Sequence, residues 1–123
     1  MEIGLFGTIH KKYERKEQEA VNFLIKQQEG EVPNALYHSE IGWVDLVWGY
    51  TGSKRSDGYG LSKIIKYHPS VVNNLANLFK ELKITQHSKN RYKLENDKYF
   101  AAVSLVWFEN KKTWLLTLFE KNT

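Results

Sequence analysis

The sequence predicts an α+β domain: N-terminal and central helices packed on one face of an antiparallel sheet of about four strands. Three observations carry this reading. Val71, Val72, Leu75, Leu78, Phe79 and Leu82 recur along one side of a helix. From residue 84 onward the pattern changes to the two-residue alternation of strands. The composition, 41% hydrophobic and 14% aromatic, is that of a packed core and not of a disordered chain.

The 123 residues suffice for one hydrophobic core and not for two, so 1–123 reads as a single domain. Residues 1–12 show no clear period and are expected to form an arm. A helix follows over 13–29, with Tyr13, Ala20, Val21, Leu24 and Ile25 at helical spacing and Gly30 as its stop. Residues 31–38 suit a short strand, which Pro33 places at an edge. Residues 43–48 alternate as a strand, and 49–58 form a loop rich in Gly, Ser and charge. A helix over 59–67 buries Leu61, Ile64 and Ile65; Pro69 separates it from the helix described above. Residues 84–87 suggest a weak strand.

The strands 91–95, 98–108 and 112–120 are expected to pair through tight turns at Asn96-Asp97 and Asn110-Lys111. That register gives one face Tyr92, Leu94, Tyr99, Ala101, Val103, Leu105, Trp107, Trp114, Leu116 and Leu118, all apolar or aromatic. This face should pack on the helices. The other carries Arg91, Lys93, Phe100, Ala102, Ser104, Thr113, Leu115, Thr117 and Phe119. There Arg91 lies opposite Ala102 and Ser104 opposite Thr117, so a cation and two hydroxyls converge.

A net charge of +4 and a pI near 9.2 favour an anionic partner. The absence of cysteine excludes disulfides and thiolate metal sites. Asp45 and Asp57 stand too isolated to cage a divalent cation, and His10, His38 and His87 have no metal-ligand spacing. No metal or other cofactor is therefore expected. No apolar run approaches the roughly 18 residues of a membrane span, and no signal peptide is visible. An exported form would travel within something larger, such as a secreted or phage protein.

The segment Asp45-Leu46-Val47-Trp48-Gly49 is followed by Asp57-Gly58-Tyr59-Gly60-Leu61-Ser62-Lys63-Ile64, then Asn90-Arg91 with Leu94-Glu95, then Trp114-Leu115-Leu116-Thr117. In this order the motifs resemble the phage-borne branch of the barnase/EndoU/colicin/RelE-like nucleases, over residues 14–121. The resemblance implies a helix-plus-antiparallel-sheet fold and metal-independent RNA cleavage, with the ribose 2′-OH attacking the adjacent phosphate. Such chemistry needs a base, an acid and donors for the phosphate.

Lys63 stands where many relatives carry His in a Gly-Leu-x-His arrangement. It can stabilise phosphate charge, but acts as a base only with a depressed pKa. His68 suits either proton role, although it lies about 140° around a regular helix from Lys63. Both can face one phosphate only if the helix ends before His68. Arg91 can fork two phosphate oxygens, and Thr117 and Ser104 can donate hydroxyls. Tyr59 and Tyr67 flank Lys63 at four-residue spacing and can stack a base. His38, placed in a loop before the 43–48 strand, is a reserve candidate. Gly58-Tyr59-Gly60 lacks the third glycine of a dinucleotide fingerprint and more simply permits close backbone approach to a phosphate or a tight helix start.

These readings converge on a toxin- or phage-type endoribonuclease acting in the cytoplasm on RNA, tRNA among the candidates, with an immunity or antitoxin protein as a candidate partner and no membrane. The alternative is a domain that keeps the fold without catalysis, either binding nucleic acid or serving as a structural module of a phage or mobile-element protein.

Overall fold

The computed structural model describes residues 2–54 and 56–122. Among them the chain forms β1 (Ile3–Gly4), β2 (Gly7–Thr8), α1 (Gln18–Gln27), β3 (Glu31–His38), β4 (Gly42–Val47), α2 (Gly60–Tyr67) and α3 (Leu75–Glu81). Then follow β5 (Lys83–His87), β6 (Arg91–Glu95), β7 (Tyr99–Trp107) and β8 (Asn110–Glu120). Short 3-10 turns cover Lys11–Tyr13 and Pro69–Asn74. No described helix is long and apolar enough to cross a membrane.

The fold is α+β, but its main sheet is larger than expected and mixed. Six strands run in the order β3-β4-β8-β7-β6-β5, and β1-β2 form a separate hairpin within the expected arm. The β3–β4 hairpin joins the C-terminal strands through one parallel pairing, Asp45 with Trp114. No local pattern announces a pairing between residues so far apart. Pro33 does lie on an edge strand, β3, where its missing N–H costs no ladder bond.

The first helix is shorter than its periodicity suggested. Arg15 and Glu17 both have positive φ (63° and 55°), so regular helix begins only at Gln18. Tyr13 nevertheless stacks on Phe23 at 4.1 Å, which explains its helix-like spacing. Gln18 then latches α1 to the third helical segment. Its Nε2 donates to Val72 O at 2.8 Å, and its Oε1 accepts from Ala76 N–H at 3.1 Å. That acceptor satisfies one of the free amides at the start of α3. Ala20, Val21 and Leu24 of α1, Leu61 and Ile64 of α2, and Leu75 and Phe79 of α3 share one core with Leu36, Val44, Leu46, Leu94, Val103 and Leu118 of the sheet.

The two C-terminal turns sit one and two residues from their expected places. Asn96 Oδ1 accepts from Lys98 N–H (2.9 Å) and Tyr99 N–H (2.7 Å), which moves the first turn to Asp97-Lys98. Arg91 therefore pairs with Ser104, not Ala102. Trp107 pairs with Asn110, so the second turn is Phe108-Glu109. Two register shifts follow along β7–β8, between Ala102 and Val103 and between Ser104 and Val106. The first leaves Leu116 as an extra residue on β8. Thr117 consequently faces Ala102, Ser104 faces Trp114, and Leu115 opposite Val103 takes the core position expected for Leu116.

Candidate active site

The site is built outward from the end of β4. Gly49 turns the chain at φ +78°, and a Cβ there would meet Tyr59 O at 2.3 Å. The following loop closes on itself: Tyr50 N–H donates to Tyr59 O (3.0 Å) and Tyr59 N–H to Tyr50 O (2.8 Å). Inside it, Asp57 accepts from Lys54 N–H at 2.9 Å and from the Ser53 hydroxyl at 2.9 Å. These donors hold the Asp57 carboxyl below its usual value. Gly58 is required because its Cβ would lie 2.1 Å from Thr51 O. The space beside Gly58 is thus filled by the loop's own carbonyl. Gly60 opens α2 at φ +80°, and Ser62 N–H donates to Trp48 O at 2.8 Å, so the helix starts directly against the end of β4.

Helix α2 then runs beside β8 in the same direction. At one end the Tyr59 ring lies 5.7 Å from that of Trp114; at the other, the His68 ring stacks on Phe119 at 5.1 Å. The nine residue steps from Tyr59 to His68 rise about 14 Å and the five strand steps from Trp114 to Phe119 about 16 Å, so the two elements keep pace. The helix ends at Tyr67. His68 has non-helical backbone (φ −140°, ψ 54°), and its N–H donates to Ile64 O at 2.7 Å. His68 thus caps the helix, still held by the i→i−4 bond to Ile64.

Lys63 lies in this helix, half-buried. Burial holds its ammonium below the usual lysine value, while the negative charge of Asp57 pulls the other way. Thr117 and Ser62 are 8% and 2% exposed, and neither hydroxyl has a hydrogen-bond partner. Buried hydroxyls are ordinarily satisfied, so these two stand out among the described residues.

Across the sheet, three rows share a face with Thr117. They are Arg91–Ser104–Trp114, Lys93–Ala102–Thr117 and Glu95–Phe100–Phe119. Arg91 is exposed and one row removed from Thr117. Lys93 was not among the expected site residues, yet only the small Ala102 separates it from Thr117, about 10 Å across two strand spacings. Its alternation with Arg91 was the available signal. Ser104 is committed elsewhere: its hydroxyl donates to Val106 O at 2.7 Å and accepts from Val106 N–H at 3.3 Å, stabilising the irregular strand.

The aromatic candidates differ. Tyr59 packs against Phe6, Trp107 and Trp114, and burial, then the neighbouring Tyr50, raises its phenol above the usual value. Tyr67 lies beneath Lys66, whose Nζ is 5.3 Å from the ring centroid. His38 is on β3 and not in a loop, 1% exposed. Its Nδ1 accepts from Glu40 N–H (3.1 Å), which leaves Nε2–H to donate to Leu82 O (2.7 Å). Both nitrogens serve the fold. His10 bonds Glu29 O at 3.0 Å, and His87 stacks on Tyr92 at 4.2 Å. Asp45 accepts from Asn34 N–H and pairs with Lys112. Among the described residues no three His, Asp or Glu side chains converge as metal ligands would.

A family model described as phage-Barnase-EndoU-ColicinE5/D-RelE like nuclease 1 matches residues 35–123, a span that includes α2 and every strand of the face carrying Thr117. Comparison with curated proteins and with solved structures gives no match.

Proposed function

The chain belongs to the phage-Barnase-EndoU-ColicinE5/D-RelE like nuclease family, and from that premise we propose that it is a metal-independent endoribonuclease whose site lies between α2 and the Thr117 face of the sheet. One observation carries the placement: the buried, partnerless hydroxyl of Thr117 on the strand beside the helix that bears Lys63. A phosphate seated there receives a hydroxyl donor from Thr117 and positive charge from Lys63, with Arg91 and Lys93 along the neighbouring strand. Attack by the ribose 2′-OH forms a bond to phosphorus and expels the 5′-oxygen, giving a cyclic phosphate and a free 5′-hydroxyl. The transition state carries more negative charge on the phosphoryl oxygens than the bound substrate, so the cations stabilise it preferentially.

Proton transfer is shared between Lys63, whose burial favours the neutral amine, and His68 at the end of the same helix. Tyr59 and Tyr67 border the substrate side. Asp45 and Asp57 are already engaged by Lys112 and by loop amides, which argues against a divalent-cation mechanism. The substrate is RNA, tRNA included, and action in the cytoplasm and inhibition by an immunity or antitoxin protein follow from the toxin- or phage-type reading.

The test is cleavage of total RNA in EDTA by wild type, Lys63→Ala and Arg91→Ala. Each substitution is expected to slow turnover about a hundredfold with little change in melting temperature. Arg91→Lys should restore only part of the rate, because lysine cannot fork two oxygens. Cleavage that requires added Mg²⁺ overturns the metal-independent mechanism. The second reading, a nucleic-acid-binding domain without catalysis, is favoured by Lys63 standing where relatives carry His. It predicts salt-sensitive RNA binding by a wild type that cuts nothing.

A further inference from the structure

Two turns of the sheet end side by side. The β5–β6 turn is Lys89-Asn90, closed by Ser88 N–H to Arg91 O at 2.9 Å and pinned to β7 by Leu105 N–H to Asn90 O at 2.9 Å. The β7–β8 turn is Phe108-Glu109, three residues further along β7 than the level of Asn90, or roughly 10 Å. Between them lies a groove of about 500 Å³, lined by Lys89 and Asn90 from one turn, Leu105 and Val106 from β7, and Lys111 and Lys112 from β8.

The cations of this groove are of two kinds. Lys112 is consumed by Glu31 and Asp45. Lys89 and Lys111 are exposed and form no ion pair among the described residues. Glu109 in the turn is the nearest acidic residue in sequence. In the adjoining β7–β8 turn stands Phe108, 81% exposed, with φ +53°. A turn position with positive φ suits Gly, Asn or Asp, and folding gains little from an aromatic ring left mostly in water there. Trp107 holds that ring from one side, edge to face at 4.8 Å, and leaves its remaining surface open.

We infer that this groove binds a single-stranded polynucleotide beside the catalytic site, with phosphates on Lys89 and Lys111 and a base stacked on Phe108. Aromatic stacking next to backbone-tracking cations is the physical recipe for sequence-tolerant single-strand binding. The groove begins at Asn90, one residue from Arg91 of the Thr117 face. The inference goes beyond the nuclease reading and does not require cleavage.

A labelled oligodeoxythymidylate of about 15 nucleotides is the probe, since DNA cannot be cut by 2′-OH attack. Its binding is followed by fluorescence anisotropy over a salt series. Lys89→Ala/Lys111→Ala is expected to weaken binding at least tenfold at low salt and to flatten the log–log salt slope by about 1.4, two phosphates at roughly 0.7 each. Phe108→Ala is expected to weaken binding roughly tenfold with the slope unchanged. All three positions are exposed, and circular dichroism melts verify that the variants fold. Wild type that does not bind the strand, or variants that bind as wild type does, overturns the inference. Groove-dependent binding with no RNA cleavage leaves it standing while the nuclease reading falls; RNA cleavage with groove-independent DNA binding does the reverse.

Discussion

Lys112 Nζ lies 2.7 Å from Asp45 Oδ2, an ion pair that closes the parallel contact between β4 and β8. The same ammonium is 2.6 Å from Glu31 Oε1, so one nearly inaccessible cation ties three strands together. Burial alone would lower the Lys112 pKa, but its hydrogen bonds to Asp45 and Glu31 outweigh that and leave it raised. Lys112→Met strands two carboxylates and is expected to cost about 3–5 kcal/mol in chemical denaturation. Neutralising all three positions together, with Glu31→Gln and Asp45→Asn, should recover most of that loss. The pH dependence follows from the raised value. The contribution of Lys112 is complete below the ordinary lysine pKa and disappears as pH rises through the folded value. Wild type should therefore lose stability in the alkaline range more steeply than the neutralised triple variant. Parallel alkaline profiles would show that the pair contributes nothing.

A second prediction concerns Lys63 and Asp57. Burial depresses the Lys63 ammonium and Asp57 partly offsets it. If Lys63 serves as a cation, activity falls as pH rises through its pKa. Asp57→Asn removes the supporting charge while keeping an acceptor for Lys54 N–H, so the alkaline limb of the pH–rate profile should move to lower pH. Lys63→Arg should move that limb beyond the accessible range, because arginine stays charged. An alkaline limb unchanged in both variants assigns the titration to another group.

The pattern of strands was legible because period-two alternation is local; β6 was placed at 91–95, where it lies. Register was not legible, and the reason is chemical degeneracy. Trp114-Leu115-Leu116 offers apolar side chains at successive positions, so an extra residue at Leu116 exchanges Leu115 for Leu116 in the core without breaking the hydrophobic pattern. The face shared by Arg91, Ser104 and Thr117 survived because the partners of Arg91 and Thr117 each shifted by two residues, but the neighbours within it changed. Lys93 gained the place in Thr117's row. The β1–β2 hairpin escaped notice because strands of two residues have no period. Its contribution is tertiary: Phe6 reaches Trp107 and Trp114 at 4.6 and 5.0 Å.

The loop before α2 supplies a third prediction. At Gly58 a methyl group would stand 2.1 Å from Thr51 O and 2.8 Å from Tyr50 O, both backbone atoms that cannot swing away. Gly58→Ala should open the Tyr50–Tyr59 bridge, cost about 1–3 kcal/mol, and impair RNA cleavage because α2 loses its fixed start. Gly42→Ala is the control. It also has positive φ, +94°, but no atom lies within 4 Å of the added carbon. It should carry only the backbone penalty, about 1–2 kcal/mol, with turnover unchanged. Equal rate losses in both variants would remove the loop from the functional argument.

The last prediction uses two signs at once. Thr117 is 8% exposed, and its Oγ1 has no hydrogen-bond partner. An unsatisfied buried hydroxyl costs about 1–3 kcal/mol in desolvation, and valine is the β-branched replacement that strands accept best. Thr117→Val should therefore raise the melting temperature. In the proposed site the same change deletes a hydroxyl donor to the phosphate, so kcat for RNA should fall by about tenfold to a hundredfold. Thr117→Ser keeps the donor and loses a methyl group, and should show lower stability with a near-normal rate. A hydroxyl that merely packs predicts a different outcome, with valine neutral or stabilising and no loss of rate. Measuring melting temperature and kcat for both variants distinguishes the cases, because only a ligand-binding hydroxyl makes valine raise stability while lowering the rate and serine lower stability while sparing it.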